Sequence, residues 1–326
     1  MMFYKVKFLI LIILAVLFSG CNSEGETKII RLGHGLDTSH SVHKAMVFMS
    51  ERLEEKSNGT MTISIYPNQQ LGSERECVEL LQVGSLGMTK VSAATMENFA
   101  EEFRVLNLPY LFRDSEHRFK ILEGEIGQKL LNSSRDKNLI GLTFYDSGTR
   151  NFYTDKPIES PADLEGLKLR VMPSRTAINT VKHLGGSPTP ISWGELYTAL
   201  QQGIVDGAEN NLPSYYLNNH FEVCPFYSMD EHTAIPDELL ISSIIWNKLT
   251  VQQRKWIKEA AEESSTYQKK LWQQSEQEAL DGMKEAGVTI IHPDKAKFRE
   301  LVKPIYEEFE KDPEMKQIIE EIQAVE

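Results

Sequence analysis

The sequence predicts an α/β protein, and three observations lead there. Short apolar or alternating segments give way to amphipathic helical patterns from Lys28 to about residue 246. The first of these units reads β-α-β-α, and the stretch Val251 to Asp281 contains neither glycine nor proline. Strands and helices taking turns along a chain favour a sheet covered by helices. At 326 residues the chain is long enough for one large domain or two ordinary ones.

The elements follow in order. Lys28 to Leu32 reads as a short strand running into Gly33-His34-Gly35. Thr38 and Ser39 are candidate caps for a helix whose Val42, Ala45, Met46, Met49 and Leu53 share one face, and Asn58-Gly59 ends it. Met61, Ile63 and Ile65 alternate as a strand until Pro67. Ser73 and Glu76 form a capping box before a helix that reaches Val83. Leu139 to Tyr145 is a strand. Ser160-Pro161-Ala162-Asp163 starts a short helix before the strand Leu167 to Val171. Ser192 and Glu195 offer a second capping box, Gly203 closes that helix, and Ile204 to Ala208 is a short strand leading to Glu209-Asn210-Asn211. Trp256, Ala260, Tyr267, Leu271 and Trp272 recur at helical spacing in the run Val251 to Asp281. One helix of 31 residues would extend about 46 Å and could brace two domains, and two helices with an uncued break is the alternative.

Residues 1–20 stand apart. Lys5 and Lys7 precede an unbroken apolar run from Phe8 to Phe18, then Ser19, Gly20 and Cys21. Eleven apolar residues are too few to cross a bilayer, which takes roughly 20 in a helix, so the segment reads as a secretory signal. Leu17-Phe18-Ser19-Gly20-Cys21 resembles a bacterial lipobox, with Phe18 an imperfect fit. The resemblance implies cleavage before Cys21 and lipid on its thiol; plain secretion is the alternative. Residues 21–27 then form a tether, and the location is periplasmic or cell-surface, with a lipid anchor. Without its first 20 residues the chain has 33 basic residues against 47 acidic, a net of −14. Such a balance argues against binding a phosphate backbone. Cys77 and Cys224 remain, and both are expected as free buried thiols.

The sequence has no P-loop, G-x-G-x-x-G, H-E-x-x-H, C-x-x-C or G-x-S-x-G motif, so no cofactor, metal or nucleophile is predicted. His40 and His43 could touch one ion, but no third ligand is suitably spaced, and capping or solvated histidines fit better. More informative are polar residues at predicted strand ends. Arg150 follows Leu139 to Tyr145, Arg170 lies within Leu167 to Val171, and Asn210 ends Asp206-Gly207-Ala208-Glu209-Asn210. Converging guanidinium groups and an amide would suit an organic acid, and open α/β sheets bind ligands at the carboxyl ends of their strands. Taken singly, each arginine reads as a surface ion pair.

At these residues the sequence resembles the solute-binding proteins of tripartite ATP-independent periplasmic (TRAP) transporters, the DctP-like family. The likeness runs from about Lys28 to about Pro313. It is carried by Tyr66-Pro67-Asn68-Gln69-Gln70-Leu71-Gly72-Ser73-Glu74, Gly148-Thr149-Arg150, Leu164-Glu165-Gly166-Leu167-Lys168-Leu169-Arg170-Val171, and Leu200 through Asn210. The resemblance implies a two-domain periplasmic binding-protein fold with a long helix spanning both domains. Domain I is placed at 28–148, domain II at 149–236, and 237–326 is shared between them. It further implies that Arg170 holds the ligand carboxylate, with Arg150 and Asn210 in support. Trp193 walls the cleft or packs in the core. Glu74 contacts ligand polar groups or simply favours its helix dipole. Ser92 stands where sialic-acid binders carry an acid, so sialate is disfavoured. Lys90 and Asn211 resemble the residues of sugar-acid and uronate binders. The expected ligand is a hexuronate or related sugar acid, the alternative a C4-dicarboxylate, and the expected partner a TRAP membrane permease. An extracellular enzyme using Glu74 or His232 for proton transfer is the competing class, and no catalytic set supports it.

Overall fold

The computed structural model describes residues 27–326; the signal segment 1–20 and Cys21 lie outside the described residues. In chain order the elements are β1 (Lys28–Gly33), α1 (Ser41–Lys56), β2 (Met61–Tyr66), α2 (Glu74–Gln82), β3 (Met88–Ser92), α3 (Ala93–Met96), α4 (Ser115–Glu123), α5 (Glu125–Ser133), β4 (Leu139–Tyr145) and β5 (Arg150–Thr154). Next come β6 (Lys168–Val171), α6 (Arg175–His183), β7 (Ser187–Pro190), α7 (Trp193–Gln201), β8 (Gly207–Asn210), α8 (Leu212–Leu217), β9 (Phe226–Thr233) and β10 (Asp237–Ser242). The chain ends with α9 (Ser243–Trp246), α10 (Val251–Glu285), β11 (Thr289–Ile291), α11 (Lys295–Phe309) and α12 (Pro313–Gln323).

These strands form two sheets, ordered β2-β1-β3-β10-β4 and β11-β9-β5-β8-β6-β7. The chain crosses between them at residues 146–149, from β4 to β5, and at residues 234–236, from β9 to β10. β10 returns to the first sheet and lies antiparallel to both β3 and β4, with Asp237 opposite Ser92 and Tyr145.

The long Gly- and Pro-free run is a single helix. α10 has 35 residues, about 52 Å at 1.5 Å per residue, and opens with a capping box in which Thr250 and Gln253 cap each other. It packs along α1 and β4 of the first sheet and α8 of the second. Its one glycine, Gly282, lies under the ring of Tyr216, where a Cβ would come within 2.2 Å of the ring. The first crossing is tied to α10 by side chains. The Gln268 amide accepts from Asp146 N at 2.9 Å and donates to Asp146 O at 2.8 Å, while Tyr145 Oη meets Ser264 Oγ at 2.8 Å. Gly148, in the same crossing, has φ +59° and leaves no room for a Cβ against Glu276 and Trp272. Among the described residues no helix is long and apolar enough to cross a membrane.

Three expected details change. α1 is capped by His40, not by Thr38 or Ser39, because Ser39 N is already bonded to Asp37 Oδ1 at 2.8 Å in a turn that delays the helix start. The Ser192 box does not close, since its hydroxyl donates to Glu195 Oε2 and caps no backbone N–H. The strand expected at Ile204 to Ala208 begins at Gly207. Gly203 N bonds to Leu200 O and Ile204 N to Ala199 O, a Schellman closure of α7 that uses up the intervening residues.

Candidate functional site

Between the two sheets lies a cavity of roughly 250 Å³, and all eight expected ligand-binding residues line it: Glu74, Lys90, Ser92, Arg150, Arg170, Trp193, Asn210 and Asn211. The register explains part of this convergence. β5 and β8 are antiparallel with Asn151 opposite Asn210, so Arg150 at the start of one strand meets Asn210 at the end of the other.

Arg170 is the unusual group. It is only 2% exposed; Nε donates to Ile191 O at 2.8 Å, Nη1 has no hydrogen-bond partner among the described residues, and no acid pairs with it there. Burial lowers its pKa from the usual arginine value, because the charged form lacks both water and a counterion. Trp193, at the N-terminus of α7 and only partly buried, sits with its ring centroid 5.8 Å from the guanidinium carbon. It therefore walls the cavity and also packs with the core of the second sheet.

Arg150 differs sharply. Glu209 takes its Nε and, at 2.9 Å, its Nη2, which also donates to Glu209 O; Nη1 donates to Asn210 Oδ1 at 2.9 Å. With four of its five N–H donors turned to the protein, Arg150 holds Asn210 in place and keeps no paired fork for a ligand carboxylate. Asn210 Oδ1 also accepts from Asn211 N at 2.9 Å, which leaves its Nδ2 as the donating end. Behind the pair, His232 lies 3.6 Å from Glu209 and donates from Nδ1 to Asp230 at 2.7 Å, stacked on Phe152. Burial opposes charge on both groups, yet Arg150 and His232 hold Glu209 down at about 2, and Asp230 and Glu209 raise His232 to about 9.

On the first-sheet wall, Lys90 Nζ meets Glu74 at 2.7 Å and Asp237 at 3.2 Å. Glu74 also accepts from Ser92 N and from Thr95 Oγ1. Burial pushes the Glu74 carboxyl up, but Lys90 and these donors bring it below its ordinary value. Asp237 is raised, by burial first and by the neighbouring Glu74 charge, against the pull of Lys90. Ser92 caps α3 through Ala94 N.

Asn211 is bonded within the protein. Its Oδ1 caps α8 through Ser214 N, and its Nδ2 donates to Ser147 O and Oγ at 3.1 and 3.2 Å, so the amide clasps the first crossing and has no hydrogen left for a ligand.

Sequence reasoning missed Asp237, Gln69 and Ser147, which also line the cavity. Of the two readings left open for His40, capping or solvated, it takes the first: Nδ1 accepts from Val42 N at 3.2 Å. His43 Nδ1 meets His34 Nε2 at 3.0 Å, and no group of metal-ligating side chains forms among the described residues. Neither Glu74, paired with Lys90, nor His232, held behind the cavity wall, is free to transfer a proton to a ligand. The arrangement sets a buried, partly unpartnered guanidinium among polar groups, a setting suited to an organic acid, and does not assemble a nucleophile with a base.

Residues 32–312 match the family model described as DctP, bacterial extracellular solute-binding protein, family 7. An uncharacterized protein of Salmonella typhimurium, YiiZ, is 41% identical over 305 residues, 93% of each chain. A TRAP periplasmic solute-binding protein from Xanthobacter autotrophicus, solved with bound β-D-galacturonate, is 37% identical with a TM-score of 0.89, covering 91% of this chain and 100% of that one. A second, from Anaerococcus prevotii with bound D-glucuronate, is 36% identical with a TM-score of 0.90, covering 92% and 98%.

Proposed function

The chain belongs to the DctP family of bacterial extracellular solute-binding proteins, the solute-capturing components of TRAP transport and not enzymes, and from that premise we propose that its ligand is a hexuronate held by its carboxylate at Arg170. The observation that carries this reading is the buried guanidinium of Arg170 with an unpartnered Nη1. A planar carboxylate matches the guanidinium fork and supplies the missing negative charge. Arg150 does not add to that charge, because Glu209 already balances it.

The rest of the cavity suits hydroxyls. Asn210 Nδ2 donates, Glu74 and Asp237 accept, and Trp193 offers an apolar face to the sugar ring. A second carboxylate at Lys90, as in a C4-dicarboxylate, would displace two acids already bonded to that ammonium. A simple dicarboxylate is therefore disfavoured.

Capture works by closure. The acid meets Arg170 on the lobe formed by residues 149–236, and the lobe formed by residues 28–148 then closes over it, with residues 237–326 shared between them. Closure is driven only by contacts that the ligand makes better in the closed state than in the open one. The loaded protein delivers its acid to a TRAP membrane permease from outside the cytoplasm, anchored there by lipid on Cys21.

Titration calorimetry with D-glucuronate, D-galacturonate, succinate and sialate at one pH and salt tests the ligand. Tightest binding by a hexuronate is the expected result; succinate binding more tightly than both uronates would overturn the sugar-acid reading and leave the family assignment standing.

A further inference from the structure

His40 lines the same cavity, is 3% exposed, and its Nε2 is buried without a hydrogen-bond partner among the described residues. The tautomer follows from its other nitrogen. Nδ1 accepts the Val42 N–H, so it carries no proton, and the neutral ring holds its hydrogen on Nε2. Burial first, with help from the Lys90 charge, lowers the pKa to about 3, which keeps the ring neutral across the working pH range. The ring is also fixed in place, with its centroid 5.8 Å from that of Trp272 on α10.

Capping alone does not call for this side chain. Ser, Thr, Asp and Asn are the preferred helix caps, and none of them extends an N–H donor as far from the backbone as the imidazole Nε2. A buried N–H without a partner is unfavourable unless something pairs with it when the protein does its work. His40 projects from the lobe opposite Arg170, and Lys90, which pairs with Glu74 and Asp237, lies near enough to depress its pKa.

We propose that His40 is a specificity-determining residue whose Nε2–H donates to a hydroxyl or ring oxygen of the bound sugar acid. A hydroxyl accepting that bond can donate its own hydrogen to Glu74 or Asp237, so the three groups together read an oxygen that succinate does not have. This inference rests on the sugar-acid reading above and adds a residue to it.

The test uses His40→Asn, which keeps a capping oxygen for Val42 N but places no donor at the far edge of the ring. The variant should melt near the wild type, bind D-glucuronate and D-galacturonate about tenfold more weakly, and bind succinate unchanged. A deoxy-uronate lacking the hydroxyl that His40 reads should bind wild type and variant alike. Unaltered uronate affinity in folded His40→Asn overturns the inference, and so does an equal loss for uronate and succinate, which would mark a merely structural role. Wild-type protein that binds no uronate overturns the sugar-acid reading and this inference together, a result visible without any variant. If His40→Asn does not fold, nitrogen NMR of the wild type decides: the His40 Nε2–H resonance shifts on adding uronate but not succinate, and an unmoved resonance overturns the proposal.

Discussion

Glu209 grips Arg150 through Nε and Nη2, with 4% of the Glu209 and 5% of the Arg150 side chain exposed, and so neutralises one of the two buried arginines of the cavity before any ligand arrives. Breaking such a pair leaves a buried carboxylate with only His232, 3.6 Å away, to balance it. Arg150→Ala should therefore cost about 3–5 kcal/mol of stability, measured by urea denaturation, and loosen Asn210 as well. A loss confined to ligand affinity, with unchanged stability, would contradict this division of labour.

Arg170 should behave in the opposite way. Arg170→Ala removes the group that receives the carboxylate and should weaken acid binding by about 2–5 kcal/mol. The ligand-free protein should keep its stability or gain some, because a buried charge without a counterion is lost. Arg170→Lys should also bind weakly, since an ammonium cannot reproduce the fork. Calorimetry for binding and thermal melts for stability separate the two arginines.

Stability should fall on the alkaline side. His232 is raised from 6.5 to about 9 in the folded protein, so the folded state holds a proton that the unfolded chain releases. The contribution, about 3 kcal/mol, is complete below pH 6.5 and lost as pH climbs through 9. His34, His40 and His220, lowered to about 3, act in the other direction: their contribution is present above pH 6.5 and lost as pH falls toward 3. Melts across this range should show the alkaline slope in the wild type and a shallower one in His232→Gln.

Cys77 and Cys224 should stay reduced. Both are buried and unpaired, and burial pushes their thiols up to about 11 and about 12. Cys77 lies on α2 beside the first sheet and Cys224 in the core of the second, so a bridge would pin the two lobes together. Mass spectrometry should find both thiols unreactive in the native protein and alkylated only on unfolding; a native linkage between them would refute this.

The elements that sequence reasoning placed best are those with local causes. β4 was legible to the residue because Leu139 to Tyr145 is apolar apart from Gly141 and Thr143, preceded by Asn138 in the left-handed region and followed by Asp146 at the crossing. α10 was legible because nothing in its first 31 residues can break a helix. Arg150, Arg170 and Asn210 were legible from their places at strand ends, the other cavity residues only through the resemblance, and their partnerships were not legible at all. Arg150 and Glu209 are 59 residues apart, Lys90 and Asp237 are 147 apart, and which arginine is left unpaired depends on both sheets at once. Asn211 shows the same gap: an amide beside Asn210 looks like ligand chemistry until Ser147 and Ser214 are found already bonded to it.

The position of β10 bears on how the chain is made. Its two neighbours, β3 and β4, are complete by Tyr145, yet the strand that joins them begins only at Asp237. A nascent polypeptide that has emerged as far as Thr233 still has an unfilled slot in its first sheet, about 10 Å from one edge strand to the other. The N-terminal half cannot lock early, and a fragment cut after the first crossing has no complete sheet to fold into. Translation thus passes through residues 150–233 before the strand that completes the first sheet is made.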